Sequence, residues 1–271
     1  MGRVLYDGRV TDAPTKALIE LRRVESMTVL TLCAGKANAF DLALLDALTR
    51  GVGAALADGA SALIVTGEAA SFSGGLALPS LIDLDRDGVR TLITTFTVAM
   101  RRVLEAPIPV IAAINGNAIA GGCVLALMCD ERIMVAEGPK APPKIGLNEA
   151  QLGLGLPASV IELVRVRLPA AAHVAVALEG RLFEPEEAKH IGLVDEVVAA
   201  AHLEARVLER AAALATAAPA AFAQIKRALL RPAIEAIERV DAAETEAWLD
   251  TWFSAEGQHR MRATVARITR K

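Results

Sequence analysis

Aromatic residues are scarce in this chain: two tryptophans, one tyrosine and six phenylalanines make up 3% of its 271 residues. A core so composed must be filled by Ala, Val, Leu and Ile. The material is ample, because 54% of the chain is hydrophobic, above the about 45–50% of ordinary globular proteins. Cysteine is also rare. Cys33, Cys123 and Cys129 are an odd number in a long chain, which argues against a disulfide framework and for a reducing compartment. His173, His190, His202 and His259 are scattered, and no CxxC or paired-histidine spacing occurs, so a zinc site has little support. With 29 Lys+Arg against 32 Asp+Glu the net charge is −3. That balance gives no electrostatic reason to expect nucleic acid or an anionic membrane as partner. Twenty glycines and twelve prolines are ordinary, which excludes collagen-like and disordered chains.

Charge is missing altogether from Ala106 to Cys129. On length that run would cross a bilayer. Pro107, Pro109, Asn115, Gly116, Asn117, Gly121 and Gly122 interrupt it, however, and a buried strand, a loop and a helix start fit the pattern better than one helix. Met1 to Asp12 is charged and carries no apolar signal segment, and the last residues, Ile-Thr-Arg-Lys, are not a peroxisomal tripeptide. A soluble cytoplasmic protein is the expectation. Arg260, Arg262, Arg267, Arg270 and Lys271 read as a solvated terminal helix face in preference to a binding patch.

Hydrophobic periodicity predicts strands at Leu18–Leu21, Met27–Leu32, Ala62–Thr66, Ile108–Ile114 and Arg132–Ala136. Asp41 is placed to cap a helix carrying Leu45, Leu48, Val52 and Leu56 on one face. Leu81–Asp87 reads as an acidic loop, Val89–Glu105 as a long helix, and Gly121–Met128 as a short one. Uniformly apolar strands alternating with helices indicate an α/β core with both sheet faces covered. Its expected extent is residues 1–200, followed by a helical region over 201–271. There Leu203, Val207, Ala211 and Leu214 form one face, and Ile234, Ile237, Val240, Trp248 and Trp252 another. Both tryptophans are expected on the last helix, where a shared interface or an internal core would use them equally well.

Several motifs fail on inspection. Asp83–Gly88 mimics the front of a calcium loop, but Thr94 stands where its bidentate carboxylate is required. Gly116 and Gly121 have P-loop spacing with Gly122 in the lysine position, and Gly51-Val52-Gly53 lacks the third glycine of a dinucleotide fingerprint. Two glycine clusters survive. Phe72-Ser73-Gly74-Gly75-Leu76 and Asn115–Gly122 each follow a strand, and the second opens a helix. Glycines there let backbone approach a ligand, and N–H groups at a helix start are free and favour negative charge. Two such turns facing each other would form an oxyanion hole; tight turns serving helix–sheet packing are the equal alternative.

Lys36-Ala37-Asn38-Ala39-Phe40, Phe72 to Leu76, Gly116 to Cys123, and Glu184 to Val198 resemble, in order and spacing, the blocks of the crotonase superfamily of enoyl-CoA hydratases and isomerases. The resemblance covers roughly Lys36 to Val198. It implies a spiral of strand–strand–helix repeats with a helical C-terminal region that mediates trimers, often paired into hexamers. It also implies an acyl-CoA thioester as partner, with CoA as part of the substrate and no separate cofactor. Carried over by position, the N–H groups of Leu76 and Gly121 would polarise the thioester carbonyl, with Gly75 in the same turn. Lys36, Ala37 and Ala39, with Leu78, would hold the adenine end, and Lys36 would also meet CoA phosphate. Ala77 departs from the family, which usually has Asp there.

The same resemblance locates the acid–base chemistry. Hydratases have a Glu just after Gly-Gly-Cys and a second one further on; here the first position is Val124 and the second is Glu149. Hydration divides naturally between two carboxylates, whereas moving a double bond from C3 to C2 needs proton removal at C2 and return at C4, which one carboxylate can perform. Gly146-Leu147-Asn148-Glu149 also resembles the Δ3,Δ2-enoyl-CoA isomerases. The expectation is therefore an isomerase with Glu149 as acid/base, followed by a hydratase, a crotonase-type acyl-CoA hydrolase and a non-catalytic acyl-CoA-binding protein. Two departures support the last of these: the hydratase-like Gly-Ala-Gly-Gly run is missing, and Leu154-Gly155-Leu156-Pro157 holds one residue more.

Overall fold

The strand Met27–Leu32 forms where the apolar run predicts it, and the sheet grows outward from it. The computed structural model describes residues 17–270 and the backbone of Arg3–Tyr6, so Lys271 and most of Met1–Asp12 lie outside the described residues. In chain order the strands are β1 (Arg3–Tyr6), β2 (Ile19–Val24), β3 (Met27–Leu32), β4 (Leu63–Gly67), β5 (Ser71–Ser73), β6 (Val110–Ile114), β7 (Asn117–Ile119), β8 (Glu131–Val135), β9 (Ile145–Gly146) and β10 (Glu196–Val198). The helices are α1 (Leu42–Ala57), α2 (Leu78–Leu81), α3 (Arg86–Leu104), α4 (Gly121–Met128), α5 (Ala158–Arg167), α6 (Pro185–His190), α7 (Leu203–Leu214), α8 (Pro219–Glu238), α9 (Ala242–Phe253) and α10 (Ala255–Thr269).

The described strands make two sheets. Seven lie in the order β1-β2-β3-β4-β6-β8-β10, antiparallel through β1, β2 and β3 and parallel from β3 onward. The second sheet, β5-β7-β9, is parallel throughout. This is the α/β crotonase fold. The large sheet is covered on both sides, which is why its parallel strands carry little polarity. One face packs against α1, α3 and α4 in the main core; Leu203, Val207 and Ala211 of α7 close the other over Ile64, Ile111 and Ile133.

The charge-free run becomes β6, β7 and α4, and all eight residues of α4 are buried. Among the described residues no helix is long and apolar enough to cross a membrane. Asp41 caps α1 as expected, its side chain accepting a hydrogen bond from the Leu44 N–H at 2.8 Å. The acidic loop is shorter than the sequence suggests. Asp85 caps α3, which therefore starts at Arg86, and α2 occupies Leu78–Leu81. Asp83 pairs with Arg262 and Asp87 with Arg90, so the carboxylates of the calcium-like string are already engaged. The apolar face running from Ile234 to Trp252 spans two helices, because Asp241 and Glu244 form a capping box that starts α9 afresh. The tryptophans thus lie on α9, not on the last helix, and they face inward: Trp252 is fully buried and Trp248 nearly so.

Candidate active site

The small sheet builds the site. Its three parallel strands run side by side, pairing Ser71 with Asn117 and Ala118 with Ile145, so their carboxyl ends open on one place. Ligands of α/β sheets gather at such ends. Past β5 comes Gly74-Gly75-Leu76, past β7 comes Ala120-Gly121, and past β9 comes Leu147-Asn148-Glu149. Three segments distant in sequence are brought together by only eight strand residues.

The two glycine turns touch. Gly75 has φ +83°, and a Cβ there would sit 2.8 Å from the Ile119 carbonyl oxygen and 3.0 Å from the Gly121 nitrogen. A Cβ on Gly122 would fall 2.2 Å from the Ser73 carbonyl oxygen. Ala120, at φ 51° and ψ −120°, holds a conformation L-residues rarely adopt and turns the chain sharply into α4. Gly121 is the first residue of that helix, so its N–H has no intrahelical acceptor. Across the turn, Phe40 N–H donates to Gly75 O at 2.7 Å and Ala77 N–H donates to Phe40 O at 2.9 Å. This parallel bridge leaves the Leu76 N–H outside its ladder.

Behind the turns lies a polar cluster for which the sequence carried only indirect signs. Asn38, fully buried at φ 45°, accepts from the Ala34 N–H at 3.0 Å and donates to the Ser71 carbonyl at 2.9 Å. The Ser73 hydroxyl donates to the Asn38 carbonyl at 2.8 Å and accepts from the Gly75 N–H at 3.2 Å. These bonds tie the Lys36–Phe40 segment to the first glycine turn.

A cavity of about 450 Å³ opens at the strand ends. Lys36, Ala37, Leu76, Leu78, Gly121 and Glu149 line it, as does Val124; Ala39 and Gly75 do not, and Gly75 acts on the site only through the turn. Among the described residues Glu149 is the one carboxylate in its wall. The residue is half-buried, but its Oε2 is shut off from solvent and has no hydrogen-bond partner in the protein. Burial lifts its carboxyl from the ordinary value of 4.5 to about 7, partly opposed by a hydrogen bond from its own backbone N–H. Asn148 also lines the cavity and its buried Oδ1 lacks a protein partner, whereas Gln151 turns away and donates to the Glu179 carbonyl at 2.5 Å. Burial, reinforced by the Glu149 charge, pushes the Cys123 thiol well up, so it supplies no thiolate nucleophile. The C-terminal helices finish the wall: Trp248 comes from α9, and Thr264, Arg267 and Ile268 from α10. Arg267 therefore belongs to the cavity and not to a purely solvated helix face.

Two sheets of this topology, with two strand-to-helix turns set against a half-buried carboxylate, define a crotonase-fold protein. The enoyl-CoA hydratase/isomerase family model matches residues 22–264, and the chain belongs to that family. It is similar to human mitochondrial enoyl-CoA delta isomerase 1, 36% identical over 132 residues covering 49% of this chain and 42% of that protein. A putative enoyl-CoA hydratase of Thermus thermophilus is 34% identical over 161 residues, covering 58% of this chain and 59% of its own length. The chain thus spans about half the length of these two relatives. A probable enoyl-CoA hydratase of Mycobacterium bovis matches at 28% identity over 97% of this chain and 96% of its own. Among solved structures, human mitochondrial delta3-delta2-enoyl-CoA isomerase shares the fold with TM-score 0.87, at 23% identity over 93% of this chain and 98% of that one. An enoyl-CoA hydratase/isomerase from Xanthobacter autotrophicus superposes with TM-score 0.78, at 28% identity over 95% and 94%.

Proposed function

We propose that this protein is an enoyl-CoA isomerase that moves a C3 double bond to C2 of an acyl-CoA, with Glu149 as its acid and base. The observation that carries the reading is the single carboxylate of the cavity, with Val124 where hydratases resembling this chain carry a second. The thioester carbonyl would accept hydrogen bonds from the N–H groups of Leu76 and Gly121. Lys36 and Arg267 provide cationic charge for the CoA phosphates, and Ala37 and Leu78 provide contact for its adenine.

The Glu149 carboxylate takes a proton from C2. The C2–H electron pair becomes the C1–C2 double bond, and the carbonyl pair moves onto oxygen. Two preorganised donors are worth most at this dienolate, where loss of one typically costs ~2.7–4 kcal/mol. The Glu149 carboxyl then returns the proton to C4 as the carbonyl reforms and the double bond settles between C2 and C3. A carboxyl titrating near 7 suits both halves of the shuttle. Assembly as a trimer belongs to the same proposal.

A second reading, hydratase, is supported by the near full-length likeness to the M. bovis protein. The test of the single-base mechanism is Glu149→Gln supplied with a 3-enoyl-CoA, following formation of the conjugated thioester. Turnover should fall by about 10²–10⁴-fold, the usual worth of a positioned acid/base; full turnover would refute the mechanism.

A further inference from the structure

Next to the active-site cavity lies a second one, of about 220 Å³, bounded by α3, the end of α8 and the start of α9. Three residues line both: Ile93, Pro157 and Trp248. They form the partition between them, and the indole is its largest member. The second cavity presents Thr97, Val98, Ile237 and Val240, and Val98 is 54% exposed, so this space reaches the protein surface.

Trp248 is held in place by bonds that involve the Leu154–Pro157 segment. Its indole Nε1 donates to the Gly155 carbonyl at 2.9 Å. The Gly155 N–H donates to the Thr251 hydroxyl at 3.0 Å, and that hydroxyl donates to the Trp248 carbonyl at 2.7 Å. Trp252, fully buried, lies with its ring 5.9 Å from that of Trp248. A side chain fixed by hydrogen bonding and ring contact is a wall and not a swinging filler. On the near side of this wall the cavity is apolar, with Phe96, Leu154 and Val160 beside Val124.

We propose that Trp248 is the end wall of the acyl pocket and sets the longest acyl chain that binds fully, with the Leu154–Pro157 segment as the brace that positions it. The proposal rests on the acyl-CoA reading above. While the chain still fits, each added methylene should tighten binding about fourfold. At the wall the apolar surface within reach of the chain ends, so the gain should stop.

The test is calorimetric binding of saturated acyl-CoAs, in even steps from butanoyl to hexadecanoyl, to the wild type, Trp248→Ala, Trp248→Leu and Thr97→Phe. In the wild type affinity should climb and then level off. Trp248→Ala and Trp248→Leu should move the plateau to longer chains and give roughly fifteenfold tighter binding to chains past the wild-type limit, as two further methylenes would. Thr97→Phe, which fills the second cavity from outside, should change nothing alone and should restore the wild-type plateau when combined with either Trp248 variant. The wild type supplies an arm that depends on no substitution: both tryptophans of the chain lie on α9, so their emission should change only with chains that reach the plateau length. An unmoved plateau in a folded Trp248 variant, or a wild-type plateau with no change in emission, would overturn the wall. Failure of every acyl-CoA to bind the wild type would overturn the functional reading itself.

Discussion

Replacing Glu149 by Gln should stabilise the protein at alkaline pH and do little at acid pH. The carboxyl titrates near 4.5 in the unfolded chain and near 7 in the folded one, because burial opposes its charge. Below 4.5 both states hold the proton and the group costs nothing. As pH rises, the unfolded chain loses that proton first, so stability falls through the interval from 4.5 to 7 and then levels off. Linkage puts the loss between pH 5 and pH 8 at about 2–3 kcal/mol, most of a total near 3 kcal/mol. Glutamine does not titrate and carries no such slope. Urea denaturation of both proteins at pH 5 and pH 8 reads the difference directly, since other titrating groups are common to both. The gap should widen by about 2–3 kcal/mol at pH 8 in favour of Glu149→Gln. A gap that does not change with pH would refute the desolvated carboxyl and, with it, the tuning of the acid/base.

The kcat/KM for a 3-enoyl-CoA should rise with pH through an apparent pKa of about 7 and then level, as the base ionises; a profile flat from pH 5 to 9 would contradict it. Gly75→Ala should lower kcat by about 10²–10³-fold, because its Cβ would collide with the Gly121 N–H and displace one carbonyl donor. It should also cost ~1–2 kcal/mol of stability for the left-handed backbone, measurable in the same urea titrations. Val124→Glu supplies the second carboxylate and should raise hydration of a 2-enoyl-CoA by at least ~10²-fold over the wild type, measured as loss of the conjugated thioester absorbance.

Much of this architecture was legible because local rules and tertiary packing agree. Met27–Leu32 is apolar throughout and becomes an interior strand; Asp41 stands where a cap belongs; Gly121–Met128 is apolar all round and becomes a buried helix. Glu149 was legible only through resemblance, since no periodicity says that a carboxylate will meet two glycine turns from other strands. The small sheet hides for a related reason: β9 is two residues long, and its pairing with β7 is a long-range contact that no window of sequence contains. Trp248 and Arg267 were misplaced because periodicity gives the face of a helix but not what that face meets. After the break between α8 and α9, Trp248 of α9 lines the cavity, and α10 then carries Arg267 to it. Asn38 is a plain polar residue in sequence; its position under the first glycine turn follows from long-range bonds to Ser71 and Ser73.

The proposed isomerase activity rests on one carboxylate, Glu149, in a cavity where Val124 takes the place of a second. The most direct measurement gives the wild type a 3-enoyl-CoA and, separately, a 2-enoyl-CoA in water, and follows both products over the same time. The account predicts rapid formation of the 2-enoyl thioester from the first and only trace 3-hydroxyacyl-CoA from the second. Hydration at a rate comparable to isomerisation would contradict it.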